Sequence, residues 1–280
     1  MATVGDKFWL FACEAGGDNE GWGLPAPSRM TPAEGCFYLG LDNLIMIQWE
    51  GQPAPPFHQY AIPFRPLDRV VWSVVGSGGQ TTETERGHVI DLAGSMPNIT
   101  GVMMDDFFNG LPERGHAALK EDSLVELKRE FVVDGRALDL WVVIYTHQLD
   151  LPVANYLDTC DYVSLWTWHS RDLIDLDDNL RKLEGLAPSC RKVLGIYLWD
   201  YGEKLPISVD QMRFQCEKGL DWLTSGRIDG MIFLANTVAD LDLDAVEWTR
   251  DWIAEVKSTT LDRRSFTGGR ADTGTRSELQ

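Results

Sequence analysis

The sequence predicts a single closed (β/α)8 barrel, and three observations predict it. Short apolar runs alternate with helical patterns along the chain, which implies parallel strands joined by right-handed crossovers. The runs are continuously apolar, as suits strands buried on both faces. Eight such units fit within 280 residues that are 44% hydrophobic, a size at which α/β barrels stand as one domain.

Taken in order, residues 7–13 read as the first strand, ending at Glu14 before a glycine-rich loop. Thr31 is placed to cap a helix with Pro32 at its first position. Residues 44–48 form a second strand ending in Trp49 and Glu50, and a proline-rich loop through His58 follows. Residues 70–75 form a third, ending in the glycine-rich stretch 76–79, and a helix is expected over 82–93. Gly101-Val-Met-Met-Asp-Asp-Phe-Phe108 is the fourth strand, running into two adjacent carboxylates and then Asn109-Gly110. A helix follows over 121–131, a fifth strand over 138–145, and a short helix over 152–157. The sixth strand spans 161–166 and precedes a helix over 173–186. The seventh spans 192–198, and Ser208 caps the helix after it, to about residue 224. The eighth spans 230–234 and ends in Asn236, before a final amphipathic helix over 243–256. The barrel domain is therefore residues 1–262. The tail over 263–280, rich in Gly, Ser, Thr and charge, is expected to be disordered.

Charge and composition narrow the partners. A formal net charge of −18 repels phosphate backbones, so no nucleic-acid partner is expected. No run of about 18 apolar residues exists, so no membrane span is expected either. The first residues lack a basic region followed by an apolar stretch, which points to a cytoplasmic protein. Five scattered cysteines with no CxxC pair suggest neither a disulfide framework nor a zinc knuckle.

In this architecture active sites lie at the C-terminal ends of the strands. Those ends gather Glu14, Glu50, Ser77, Asp105, Asp106, Tyr145, His147, Trp166, Trp168, His169, Trp199, Asp200, Tyr201 and Asn236. The opposite ends gather nothing comparable, and the asymmetry points to an enzyme. Ionised Asp105 and Asp106 must lie where the buried strand meets a cleft, and neighbouring carboxylates raise each other's pKa. Side-chain alternation, taking Gly101, Gly195 and Gly230 as inward, puts Met103, Asp105, Tyr197, Trp199, Leu234 and Asn236 inward as well. Asp106 enters the mouth only if the chain turns there.

The aromatics point to the ligand. Eleven tryptophans are many, and Trp49, Trp166, Trp168 and Trp199 all fall at strand ends, where sugar C–H faces stack on indole rings. A carbohydrate substrate is expected, with Glu50, Tyr145, His147, Trp166, Trp168, His169, Trp199, Asp200 and Asn236 as its binding residues. His147 and His169, beside an aspartate, also allow a divalent metal. Because the first strand lacks a His-x-His pair and the eighth ends in an amide, neither a metal nor another cofactor is expected.

On the barrel rhythm and the Asp105-Asp106 pair, the chain resembles glycoside hydrolases with barrel catalytic domains. The pair in particular is similar to that of retaining β-N-acetylglucosaminidases that use substrate-assisted catalysis. The resemblance implies that Asp105 orients and polarises a 2-acetamido group while Asp106 is the general acid. Read from the residues alone, either aspartate can be the acid, and Glu50 or Asp200 can be the second carboxylate. The expectation is a glycosidase. The alternatives are a non-catalytic carbohydrate-binding barrel, or a metal-dependent hydrolase or isomerase using His147 and His169.

Overall fold

Among the described residues ten strands form: β1 (Phe8–Ala12), β2 (Asn43–Met46), β3 (Arg69–Ser73), β4 (Ile99–Met104), β5 (Val132–Val133), β6 (Arg136–Ala137), β7 (Asp139–Tyr145), β8 (Tyr162–Trp166), β9 (Arg191–Tyr197) and β10 (Gly230–Leu234). All but β5 and β6 pair in parallel in the order β1-β10-β9-β8-β7-β4-β3-β2 and close into a barrel. The computed structural model describes residues 1–76, 79–111 and 115–261. Two sequence expectations, Ser77 at the rim and the disordered tail over 263–280, lie outside the described residues.

Most crossovers among the described residues are helical. They are α1 (Pro32–Leu39), α2 (Glu83–Ser95), α3 (Glu121–Glu130), α4 (Ala154–Thr159), α5 (Leu176–Leu186), α6 (Val209–Thr224) and α7 (Asp244–Val256). Thr31 with Glu34, Thr82 with Glu85, and Ser208 with Gln211 form reciprocal capping boxes on α1, α2 and α6. Between β2 and β3 the proline-rich connection makes only a 3-10 turn, Ile62–Phe64. The small β5–β6 ribbon is an addition to the expected rhythm. Its turn is Asp134-Gly135, with φ of 51° and 76°, and the pair marks a two-residue hairpin. No described helix is long and apolar enough to cross a membrane. All five cysteines are free and buried.

The interior is filled from the N-terminal end upward by aromatic rings. Trp141 stacks on Tyr162 at 3.9 Å and meets Trp9 edge-on at 5.1 Å. Above them Trp166 packs against Phe11 at 5.3 Å and Tyr197 at 4.9 Å. Gly195 is what admits Trp166: a Cβ at that position would land inside the indole. The Trp166 side chain is held in place by its own Nε1, which donates to Ser164 Oγ at 2.9 Å. The aromatic plug stops short of the C-terminal ends of the strands, and a cavity opens there.

Candidate active site

The cavity has a volume of about 400 Å³. Its polar core is the turn that ends β4. The strand stops at Met104, and Asp106 takes a left-handed backbone conformation with φ of 49°. That turn brings Asp106 into the mouth beside Asp105, as the sequence required for both to face one space. The glycine at 79 makes room for the turn. A Cβ there would lie 2.7 Å from the Asp106 carbonyl oxygen, and its own φ of 72° suits glycine. Gln148 fastens the turn to β7. Its Oε1 accepts from the Tyr145 backbone N–H at 3.0 Å, and its Nε2 donates to the Phe108 carbonyl at 3.0 Å.

Asp105 lines the cavity and is partly exposed. Burial, and next the neighbouring Asp106 charge, push its carboxyl from the usual 3.8 to about 8. One backbone N–H, that of Asp106, donates to Asp105 Oδ1 at 3.0 Å and offsets part of this. Asp106 Oδ1 accepts from the Tyr145 hydroxyl at 2.9 Å. Burial raises the Tyr145 phenol well above its usual 10, so this hydroxyl stays a donor. Tyr197, also raised by burial and by both aspartates, completes the floor.

Of the residues expected to bind substrate, Tyr145, His147, Trp166 and Trp168 line this cavity with the two aspartates. His147 stacks on Tyr145 at 5.5 Å, and burial followed by His169 lowers its pKa. The other five do not line it. Glu50 is exposed in the turn after Trp49. His169 Nδ1 pairs with Glu203 Oε1 at 2.8 Å, which Arg171 also contacts. Trp199 is buried behind the wall, and its Nε1 donates to the Trp22 carbonyl at 3.0 Å. Asp200 accepts from the backbone N–H groups of Ser170 and Glu203, at 3.0 and 2.9 Å. Asn236 bridges Cys13 and Met30: it accepts from Cys13 N at 3.1 Å and donates to Cys13 O at 3.0 Å and Met30 O at 2.7 Å. Trp199, Asp200 and Asn236 thus spend polar atoms on backbone groups, and His169 spends its Nδ1 on the Glu203 side chain.

The structure adds lining residues. Trp49, Tyr197 and Tyr201 were legible as strand-end or inward positions, whereas Asp18 and Trp22 come from the loop after β1. Asp18 Oδ2 accepts from Tyr201 Oη at 2.8 Å and from Thr237 Oγ1. Burial raises the Asp18 carboxyl, and its two hydroxyl partners lower it by less. Among the described residues no group of three or more His, Cys, Asp or Glu side chains is arranged to hold a metal. His169, one of the two histidines of the metal-dependent alternative, pairs with Glu203 and does not line the cavity with His147.

No protein-family model matches the sequence, and no curated protein is significantly similar to it. Solved structures do match. The active domain 2 of a thermostable chitinase from Pyrococcus furiosus is 12% identical, with a TM-score of 0.59 over 93% of this chain and 99% of that one. A β-mannanase from Alicyclobacillus acidocaldarius is 10% identical, with a TM-score of 0.52 over 91% of this chain and 98% of that one. A xylanase-A-amylase inhibitor protein is 11% identical, with a TM-score of 0.53 over 90% of this chain and 98% of that one. The chain has the barrel fold these proteins share. That fold carries glycoside hydrolases and an inhibitor protein alike, so the activity has to be argued from the site.

Proposed function

We propose that this protein is a glycosidase whose acid/base machinery is the Asp105–Asp106 pair. The observation that carries the reading is one cavity in which Asp105, its carboxyl raised to about 8 chiefly by burial, stands beside Asp106, which accepts from the Tyr145 hydroxyl, under a wall of indole and phenol rings. Glycoside cleavage needs two carboxyl groups in different protonation states. In the reading supported by burial, Asp105 gives its proton to the leaving oxygen as the anomeric C–O bond breaks. Asp106, steadied by the Tyr145 hydroxyl, carries the negative charge that faces the developing oxocarbenium ion. Water adds to the anomeric carbon, and its proton returns to Asp105. The acetamido-assisted route implied by the resemblance puts the acid on Asp106 and requires an ionised Asp105 to accept the amide N–H. The raised carboxyl of Asp105 favours the reverse allocation.

The rings fit a sugar. Trp22, Trp49 and Trp168 offer faces to C–H surfaces, and Trp22 and Trp168 are themselves braced edge-on at 5.8 Å. The test is hydrolysis of a panel of aryl glycosides and reducing-end-labelled oligosaccharides by wild type, Asp105→Asn and Asp106→Asn. Turnover by wild type that both variants lose supports the proposal. Binding without turnover on every member favours the second reading, a non-catalytic carbohydrate-binding barrel.

A further inference from the structure

The cavity is lined by carboxyls with no fixed cation beside them among the described residues. Three carboxyls, Asp18, Asp105 and Asp106, line it, and no lysine or arginine does among the described residues. His147 adds no positive charge at neutral pH, because burial, followed by His169, lowers its pKa. The neutral donors are largely spent inside the wall: Tyr145 on Asp106, Tyr201 on Asp18, and Gln148 on the Phe108 carbonyl. Asp18 stands apart from the β4 pair. Only 8% of its surface is exposed, and Oδ2 takes both of its hydroxyl donors. Oδ1 has no hydrogen-bond partner among the described residues. A buried carboxylate with an open oxygen on a cavity is stabilised most by a charged donor. The aromatic lining works in the same direction, since ring faces attract cations. Trp22 shows this already: from outside the cavity, Lys204 holds its ammonium 5.9 Å from the centre of that ring.

We propose that the cavity takes a glycan bearing free, protonated amino groups, with Asp18 Oδ1 as the acceptor for the ammonium, and rejects glycans bearing carboxylate or sulfate. The proposal rests on the reading of the cavity as a sugar site and names the substrate class. A neutral sugar offers Asp18 Oδ1 no charged donor. An anionic one faces three carboxyls with no cation to receive it. An N-acetylated one replaces a cationic donor by a carbonyl for which the wall has few donors left.

The test is equilibrium binding, read by quenching of tryptophan fluorescence, so that it does not depend on turnover. The probes are equal-length oligomers of glucosamine, N-acetylglucosamine, glucose and galacturonate, with oligolysine as a cation that is not a sugar. Wild type should bind the glucosamine oligomer about tenfold or more tighter than the glucose oligomer, since a hydrogen bond to a charged group is worth that ratio or better. The galacturonate oligomer should bind least. Asp18→Asn keeps the size of the side chain and should remove the preference, so that the variant binds the glucosamine and glucose oligomers alike. If wild type binds glucose or galacturonate oligomers as tightly as glucosamine, the proposal is wrong. The same holds if oligolysine matches glucosamine, which would show general attraction to an acidic protein. The wild-type ranking stands even if Asp18→Asn fails to fold. Preferential binding of the glucosamine oligomer without cleavage would sink the glycosidase reading alone, and cleavage of neutral glycosides with no preference would sink this inference alone.

Discussion

Asn in place of Asp105 is the perturbation that probes the proposed chemistry most directly. The amide keeps the volume and the acceptor for the Asp106 N–H, but it has no proton to give. General acid assistance is worth about 10²–10⁴-fold in rate, so turnover of alkyl glycosides should fall by that factor. Aryl glycosides with acidic leaving groups need the proton less and should fall far less. The pH profile carries the structural part of the argument. An acid pushed to about 8 by burial and by Asp106 gives wild type an alkaline limb in kcat/KM near that pH. Asp105→Asn should flatten the limb. Asp106→Asn removes the second cause and leaves the first, so on good leaving groups its limb should move toward acid without reaching the usual carboxylate range. The assay is kcat/KM against pH for the three proteins on a poor and a good leaving group. An alkaline limb that is the same in all three proteins, or equal losses on both leaving groups in Asp105→Asn, would refute Asp105 as the acid.

Linkage supplies a stability counterpart. The folded-state pKa of Asp105 lies above its unfolded value, so the native state binds more protons between about pH 4 and pH 8, and stability attributable to this group falls as pH rises through that window. Asp105→Asn should therefore raise the Tm relative to wild type at pH 8, by more than about 1 kcal/mol in stability, with the gain shrinking toward pH 4. Gly195→Ala drives a methyl group into Trp166 and should destabilise by about 1–3 kcal/mol or more, measured by urea unfolding. Asn236→Ala strands the backbone N–H and C=O of Cys13 and the carbonyl of Met30, and should cost about 2–3 kcal/mol in the same assay while leaving the KM of the folded fraction unchanged. A chelator should leave activity unaltered, because His169 is engaged by Glu203 and no metal donor set forms around His147.

The architecture was legible because its causes are local and periodic. Continuous apolar runs such as Phe8–Ala12, capping pairs such as Ser208 with Gln211, and the strand-end carboxylates Asp105 and Asp106 each follow from neighbours a few residues apart. Strand direction in a closed barrel then puts every strand end at one mouth, which is why Tyr145, His147, Trp166 and Trp168 came together with the pair as expected. The alternation of side chains even placed Tyr197 inward without a contact being known. What only the tertiary structure decided is which of those strand-end groups are left with open valences. Asp200, Trp199 and Asn236 spend theirs on the backbone of Ser170, Trp22 and Cys13, partners 30, 177 and 223 residues away in sequence. Asp18 and Trp22 arrive from a loop without periodicity, whose path is set by contacts with Tyr201, Thr237 and Trp168 across the barrel mouth. Hydrogen bonds and ring contacts of that kind depend on positions in space, and no spacing along the chain encodes them.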